Sequence, residues 1–148
     1  MPSFRFSHPI EVRYADLDPQ RHVNNAVLFS YLEQARARYL QHLGLWDGAD
    51  FDAIGIIVAE ASATFLAPIT FGDRIAVEVG VTRLGTKSLT LEYVVRGGDG
   101  GERATGRTVL VAYDYRQGTS IPVPEPWRNA IAAHERLADS AEASSATP

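Results

Sequence analysis

Apolar residues recur along this chain in two different periods. Phe4, Phe6, Ile10, Val12 and Tyr14 fall at even positions, the alternation of a half-buried strand over residues 4–14, and Pro9 within it predicts a sheet edge or a bulge. Further on the period lengthens. Leu28, Leu32, Ala35, Tyr39 and Leu43 recur at helical spacing, Phe29, Tyr31 and Leu40 widen the stripe, and Glu33, Gln34 and Gln41 mark the polar side. Asn24 or Asn25 is a suitable N-cap, because its side-chain oxygen can accept from the free N–H groups of the first turn. Gly44 supplies the permissive residue that ends the helix. So broad an apolar face requires a sheet wrapped around it.

After a linker at 46–52 the chain turns strand-like and stays so, over residues 54–66, 73–84, 87–96 and 104–115. Gly85-Thr86 and the glycine cluster at 97–101 read as hairpin turns, and a run containing Pro68 and Gly72 separates the first two strands. Four long strands joined by such turns predict an antiparallel meander. With the N-terminal strand they make a five-stranded antiparallel sheet and one long central helix, an α+β arrangement. A single helix cannot supply the crossovers of a parallel sheet. A proline-rich run at 122–126 then leads into a short helix from Trp127 to about Leu137, and the small polar residues 138–148 predict a flexible tail behind a single domain at 1–137.

Length and charge narrow the class. A domain of 148 residues buries roughly 68–70% of its unfolded surface and stands without staples, which agrees with the complete lack of cysteine. That lack removes disulfides, thiolate metal sites and a cysteine nucleophile. No signal-peptide core is present near Met1, and the longest apolar run, 53–59, is too short to span a bilayer, so the expectation is a cytoplasmic protein without a membrane partner. The net charge of −4, from 14 basic and 18 acidic residues, argues against a nucleic-acid partner. Any anionic ligand must be met by a local basic patch.

The candidate chemistry sits between the first strand and the helix, where Asp16, Asp18, His22, Asn24 and Asn25 share one short loop. Pro19 biases Asp18 away from the helical region and orders the turn. Gly-x-Ser-x-Gly, His-Glu-x-x-His and the phosphate loop are all absent, which leaves carboxylate chemistry. A carboxylate beside a helix start can attack an electrophilic carbonyl or activate water, while free N–H groups of the first turn receive the developing negative charge. A thioester suits so sparse a site, since its thiol, with a pKa near 8.5 by analogy with cysteine, departs as thiolate without a strong acid. The same aspartates can also serve only to satisfy loop amides. A metal held by Asp16, Asp18 and His22 is open on ligand type alone, with no distant partner evident.

The run Tyr14-Ala-Asp-Leu-Asp-Pro-Gln-Arg-His-Val-Asn-Asn25, followed by Tyr31-Leu-Glu-Gln-Ala-Arg36, resembles the hotdog-fold thioesterases of the 4-hydroxybenzoyl-CoA thioesterase and YbgC-like acyl-CoA thioesterase group. Thr64-Phe-Leu-Ala-Pro-Ile-Thr-Phe-Gly-Asp73, Arg83-Leu-Gly-Thr-Lys-Ser-Leu-Thr-Leu-Glu-Tyr93 and Ile121-Pro-Val-Pro-Glu125 extend the resemblance downstream. It implies a hotdog fold, a homodimer or homotetramer with sites between subunits, and hydrolysis of an acyl-CoA without cofactor or metal. By position it implies Asp18 as nucleophile or general base and the backbone N–H of Asn25 as oxyanion donor. Asp16 is expected to be structural, and His22 to orient Asp18, to contact substrate or to bond loop carbonyls.

The loop also resembles acyl-carrier-protein thioesterases, whose pattern has Asn where this chain has Gln20. His22 and Asn25 stand where the benzoyl-CoA branch has apolar and aromatic residues, so an aliphatic acyl-CoA is expected. For the phosphates of CoA the candidates are Arg83, Lys87 and Ser88 at the Gly85 hairpin, with Arg103 and Arg107 on the next strand. Glu33 and Arg36, three residues apart on the helix, are expected to form an ion pair. A hotdog dehydratase or hydratase, and a non-catalytic module that binds acyl thioesters, are the alternatives.

Overall fold

The computed structural model describes residues 4–136. Strand β1 (Phe6–Glu11) half-buries alternate residues and exposes Pro9, as its position at a sheet edge allows. It is shorter than the alternation suggested, because the chain leaves the sheet at Val12 and coils into a single 3-10 turn at Tyr14–Asp16.

Helix α1 (Asn25–His42) starts where the Asn24 side chain accepts from the Ala26 N–H at 2.8 Å. It ends in a left-handed Gly44 at φ +76°, with the Gly44 N–H bonded to the Gln41 carbonyl and the Leu45 N–H to the Leu40 carbonyl. Those two bonds are a Schellman cap, and they require the glycine. Leu28, Leu32, Ala35 and Tyr39 form the buried stripe, whereas Phe29 is left partly exposed.

The sheet comprises β2 (Ile56–Phe65), β3 (Arg74–Leu84), β4 (Ser88–Arg96) and β5 (Glu102–Asp114) beside β1, all antiparallel, in the order β1-β3-β4-β5-β2. A two-residue β6 (Thr119–Ser120) is added on β5. Only β3, β4 and β5 form the expected meander. Instead of pairing with β3, β2 pairs with β5 at the far edge. The reason is the linker 66–73, longer than the two to five residues of a hairpin loop, which carries the chain across the end of the sheet. Bulges between Val58 and Glu60 and between Val81 and Arg83 add local bend and twist to β2 and β3.

Helix and sheet approach closely at Gly106 on β5, where a Cβ would lie 2.7 Å from a methyl of Leu32. Beneath α1 a buried polar chain runs from Arg36 to the Tyr93 hydroxyl at 3.3 Å and on to Thr108 at 2.7 Å, and Arg36 lies 3.9 Å from Glu33. Helix α2 (Glu125–Glu135) closes the opposite end, burying Ile131 and directing Arg128 at the carbonyls of Gly85 and Thr86. The tail expected at 138–148, and Leu137 before it, lie outside the described residues. Among the described residues no helix is long and apolar enough to cross a membrane.

Candidate active site

The turn between β1 and α1 is a small hairpin closed by a bridge between Leu17 and Val23. The Asp18 N–H donates to the His22 carbonyl at 2.9 Å and the Arg21 N–H to the Asp18 carbonyl at 2.8 Å, with Pro19 setting the first bend. Arg21 takes a left-handed φ of +68°. Oδ1 of Asp18 accepts from the backbone N–H groups of Gln20 at 3.0 Å and His22 at 3.4 Å. Its Oδ2 has no hydrogen-bond partner among the described residues. One oxygen is therefore anchored and the other is left unpaired among the described residues.

Asp16, two residues earlier, faces the other way. It is buried and accepts from the Tyr31 hydroxyl at 2.6 Å, from the Arg13 backbone N–H at 2.9 Å and from the Arg13 guanidinium at 2.9 and 3.2 Å. Burial pushes its carboxyl pKa upward, but Tyr31 and Arg13 together outweigh that and hold it below the usual range. Burial, and then the Asp16 charge, push the Tyr31 phenol well above its ordinary value. Asp16 is thus the structural carboxylate of the turn.

Asp18, His22 and Asn25 line one cleft of about 330 Å³. Asn25 is the first residue of α1, and its backbone N–H has no acceptor among the described residues. The opposite wall is the end of β2 at Phe65 and the start of the β2–β3 linker, with Leu66, Pro68 and Ile69, and Leu28 also lines the cleft. Two joints hold this wall to the Asp18 turn: the Val23 N–H donates to the Ile69 carbonyl at 2.8 Å, and His22 bridges to Thr70. The Arg103 carbonyl accepts from both Leu66 and Ala67. Its guanidinium is held by Asp73 and Asp99 at 3.0 Å each.

The main chain of His22, rather than its ring, makes the contact to Asp18. Arg83, Lys87 and Ser88 are not brought to this cleft. They occupy the β3–β4 end of the sheet, on the order of 20 Å along β4 from Val95, which pairs with the cleft residue Ala104. Lys87 reaches Ser120 at 3.4 Å, and Nε of Arg83 is buried without a partner among the described residues. The linker wall was missed from sequence. Its signal was Pro68 between two apolar residues, which marked a break without marking a function. Among the described residues no group of three or more His, Cys, Asp or Glu is placed to hold a metal ion.

A long helix packed against a curled antiparallel sheet is the hotdog fold, and the relatives of this chain make it a thioesterase, which is a thioester hydrolase. The chain belongs to the Thioesterase-like superfamily, whose model matches residues 12–131. A solved thioesterase from Thermus thermophilus, complexed with coenzyme A and Zn, is 38% identical with a TM-score of 0.82 over 93% of this chain and 100% of that one. The 1,4-dihydroxy-2-naphthoyl-CoA hydrolase of Thermosynechococcus vestitus is 30% identical over 78% of this chain and 80% of its own length. The uncharacterized protein YsmA of Bacillus subtilis is 26% identical over 80% of both.

Proposed function

We propose that this chain hydrolyses an acyl-CoA thioester in the cleft beside Asp18. The observation that carries the reading is a carboxylate with one anchored and one open oxygen, in the same cleft as the unpaired first-turn N–H of Asn25. The Asp18 carboxylate either attacks the carbonyl carbon, giving an anhydride that water then opens, or takes a proton from the attacking water. In both routes the carbonyl oxygen gains negative charge and accepts from the Asn25 N–H, strengthened by the positive end of α1. As that intermediate collapses the C–S bond breaks and CoA leaves as thiolate, to be protonated by solvent; in the covalent route this step yields the anhydride, which water then opens, and in the other it yields the acid directly.

His22 lies on the rim in reach of substrate. The apolar wall of Leu28, Phe65 and Leu66 suits an acyl chain. An aliphatic acyl group is the first reading, and the naphthoyl-CoA hydrolase among the relatives supports an aromatic one as the second. We also propose a homo-oligomer, because β2 is an edge unpaired among the described residues and carries exposed Ile57, Val58 and Phe65. Arg83, Lys87 and Ser88 can then meet a CoA phosphate only from a neighbouring copy. The lack of cysteine supports a cytoplasmic setting.

Thiol release from short, medium, long and aromatic acyl-CoAs, by wild type beside Asp18→Asn, tests the reading. Turnover should fall by about 10²- to 10⁴-fold in the variant, which keeps an oxygen for Gln20 and His22 and so keeps the turn. No release from any member by the folded wild type would overturn it.

A further inference from the structure

Two rows of residues run inward from the cleft and face each other. On α1, residues four apart lie one above the other, which places Leu28, Leu32 and Arg36 in succession. On β5 every second residue shares a face, which gives Ala104, Gly106 and Thr108. The rows meet rung by rung. Leu28 and Ala104 border the Asp18 cleft. One rung further in, a Cβ on Gly106 would lie 2.7 Å from a methyl of Leu32 and 3.5 Å from the Tyr93 ring, so the leucine closes onto the strand, and neither Leu32 nor Gly106 borders the cleft. On the third rung the Arg36 guanidinium donates to the Tyr93 hydroxyl at 3.3 Å, and that hydroxyl lies 2.7 Å from the Thr108 hydroxyl. All three residues are buried, so behind Leu32 a hydrocarbon end would meet a guanidinium and two hydroxyls.

We infer that Leu32, shut on Gly106, sets the length of acyl group that the cleft accepts, with the Arg36, Tyr93 and Thr108 row as the wall behind it. This rests on the acyl-CoA reading above and narrows it to short and medium acyl groups. Leu32 lies seven residues beyond Asn25, about 10 Å along the helix axis. Its side chain leans back over the preceding turn, toward the cleft. A C–C bond of about 1.5 Å gives an extended chain an advance of roughly 1.3 Å per carbon, so an acyl group whose carbonyl meets the Asn25 N–H reaches Leu32 after about eight carbons. Gly106 is part of the stop, because a Cβ there would hold the Leu32 methyl off the strand.

The test is kcat/KM for saturated acyl-CoAs of four, eight, ten and twelve carbons, with wild type beside Leu32→Ala. A methylene admitted to an apolar pocket is worth about fourfold, so the ratio of the ten-carbon to the four-carbon substrate should rise roughly 10- to 20-fold in the variant. Leu32→Val removes a single carbon, disturbs the core less, and should raise the same ratio roughly fourfold. The ratio cancels any loss common to all lengths, which is all that a merely structural role would produce. An unchanged ratio in the folded variants would overturn the inference, as would a wild type that turns over twelve carbons as readily as eight. Calorimetric titration of the same acyl-CoAs separates this outcome from a failure of the hydrolase reading. In the absence of turnover, a gain by the variants in binding the ten-carbon member relative to the four-carbon one supports Leu32, and an unchanged profile refutes it.

Discussion

The Tyr31 hydroxyl on α1 donates to the buried carboxylate of Asp16 at 2.6 Å, joining the second turn of the helix to the loop that carries Asp18. The Asp16 carbonyl in turn accepts from the Asn24 N–H at 2.9 Å, so one residue fixes the loop to the helix cap through both side chain and backbone. The Asp18 carboxylate and the first-turn N–H groups are thereby held in a set relation to each other. Asp16 and Asp18 divide the work, one holding the turn and the other facing the cleft.

Tyr31→Phe leaves Asp16 buried with one donor fewer and should cost about 1–3 kcal/mol at neutral pH. The sign of its pH dependence follows from the lowered Asp16 pKa. The stabilisation from ionised Asp16 is complete above the unfolded value of about 3.9 and is lost as pH falls through the lower folded value. Without Tyr31 the folded pKa rises, acid unfolding begins at higher pH, and the penalty shrinks toward low pH. Urea midpoints of wild type and variant across that range measure it, and a penalty independent of pH would contradict the assignment.

Much of this arrangement is legible in the chain because it is local. The Asn24 cap, the Gly44 ending, the Gly85 turn and the Asp18 loop each follow from a few adjacent residues. The place of β2 is not legible, since alternation assigns a strand its faces without naming its neighbours. With β2 misplaced, the linker 66–73 read as a simple turn, and the wall it forms against Asp18 went unseen. Arg83 and Lys87 drew attention by charge alone. Whether a cation reaches a site depends on pairing between β3, β4 and β5, which local sequence does not express.

The exposed edge of β2 predicts the assembly. Ile57 and Val58 are each more than two-fifths exposed on a strand with no partner on its outer side among the described residues. Val58→Lys sets a desolvation cost into any interface there while remaining in water in the isolated chain. Sedimentation should find wild type as a dimer or larger and the variant shifted toward monomer. Loss of activity in parallel is expected if the sites lie between subunits. A wild type that sediments as a monomer at micromolar concentration would remove the edge as an interface.

Two substitutions at Asn25 separate its backbone from its side chain. Asn25 is the first residue of α1, where proline is tolerated because the N–H it lacks has no intrahelical acceptor. Asn24 before it already has φ −59° and ψ 137°, the extended conformation that a following proline imposes. Asn25→Pro should therefore preserve the helix and the Asn24 cap while deleting the one N–H proposed to receive the oxyanion. The expected result is a fall in kcat of about 10²- to 10³-fold, with KM changed far less and the melting temperature nearly unchanged. Asn25→Ala retains the N–H and should keep kcat within about tenfold of wild type, well above the proline variant. If the alanine variant lost as much as the proline variant, the side chain would be the active group. If neither lost activity, the charge would have to be met elsewhere in the cleft, and the Asp18 carboxylate would be working without the first turn of α1.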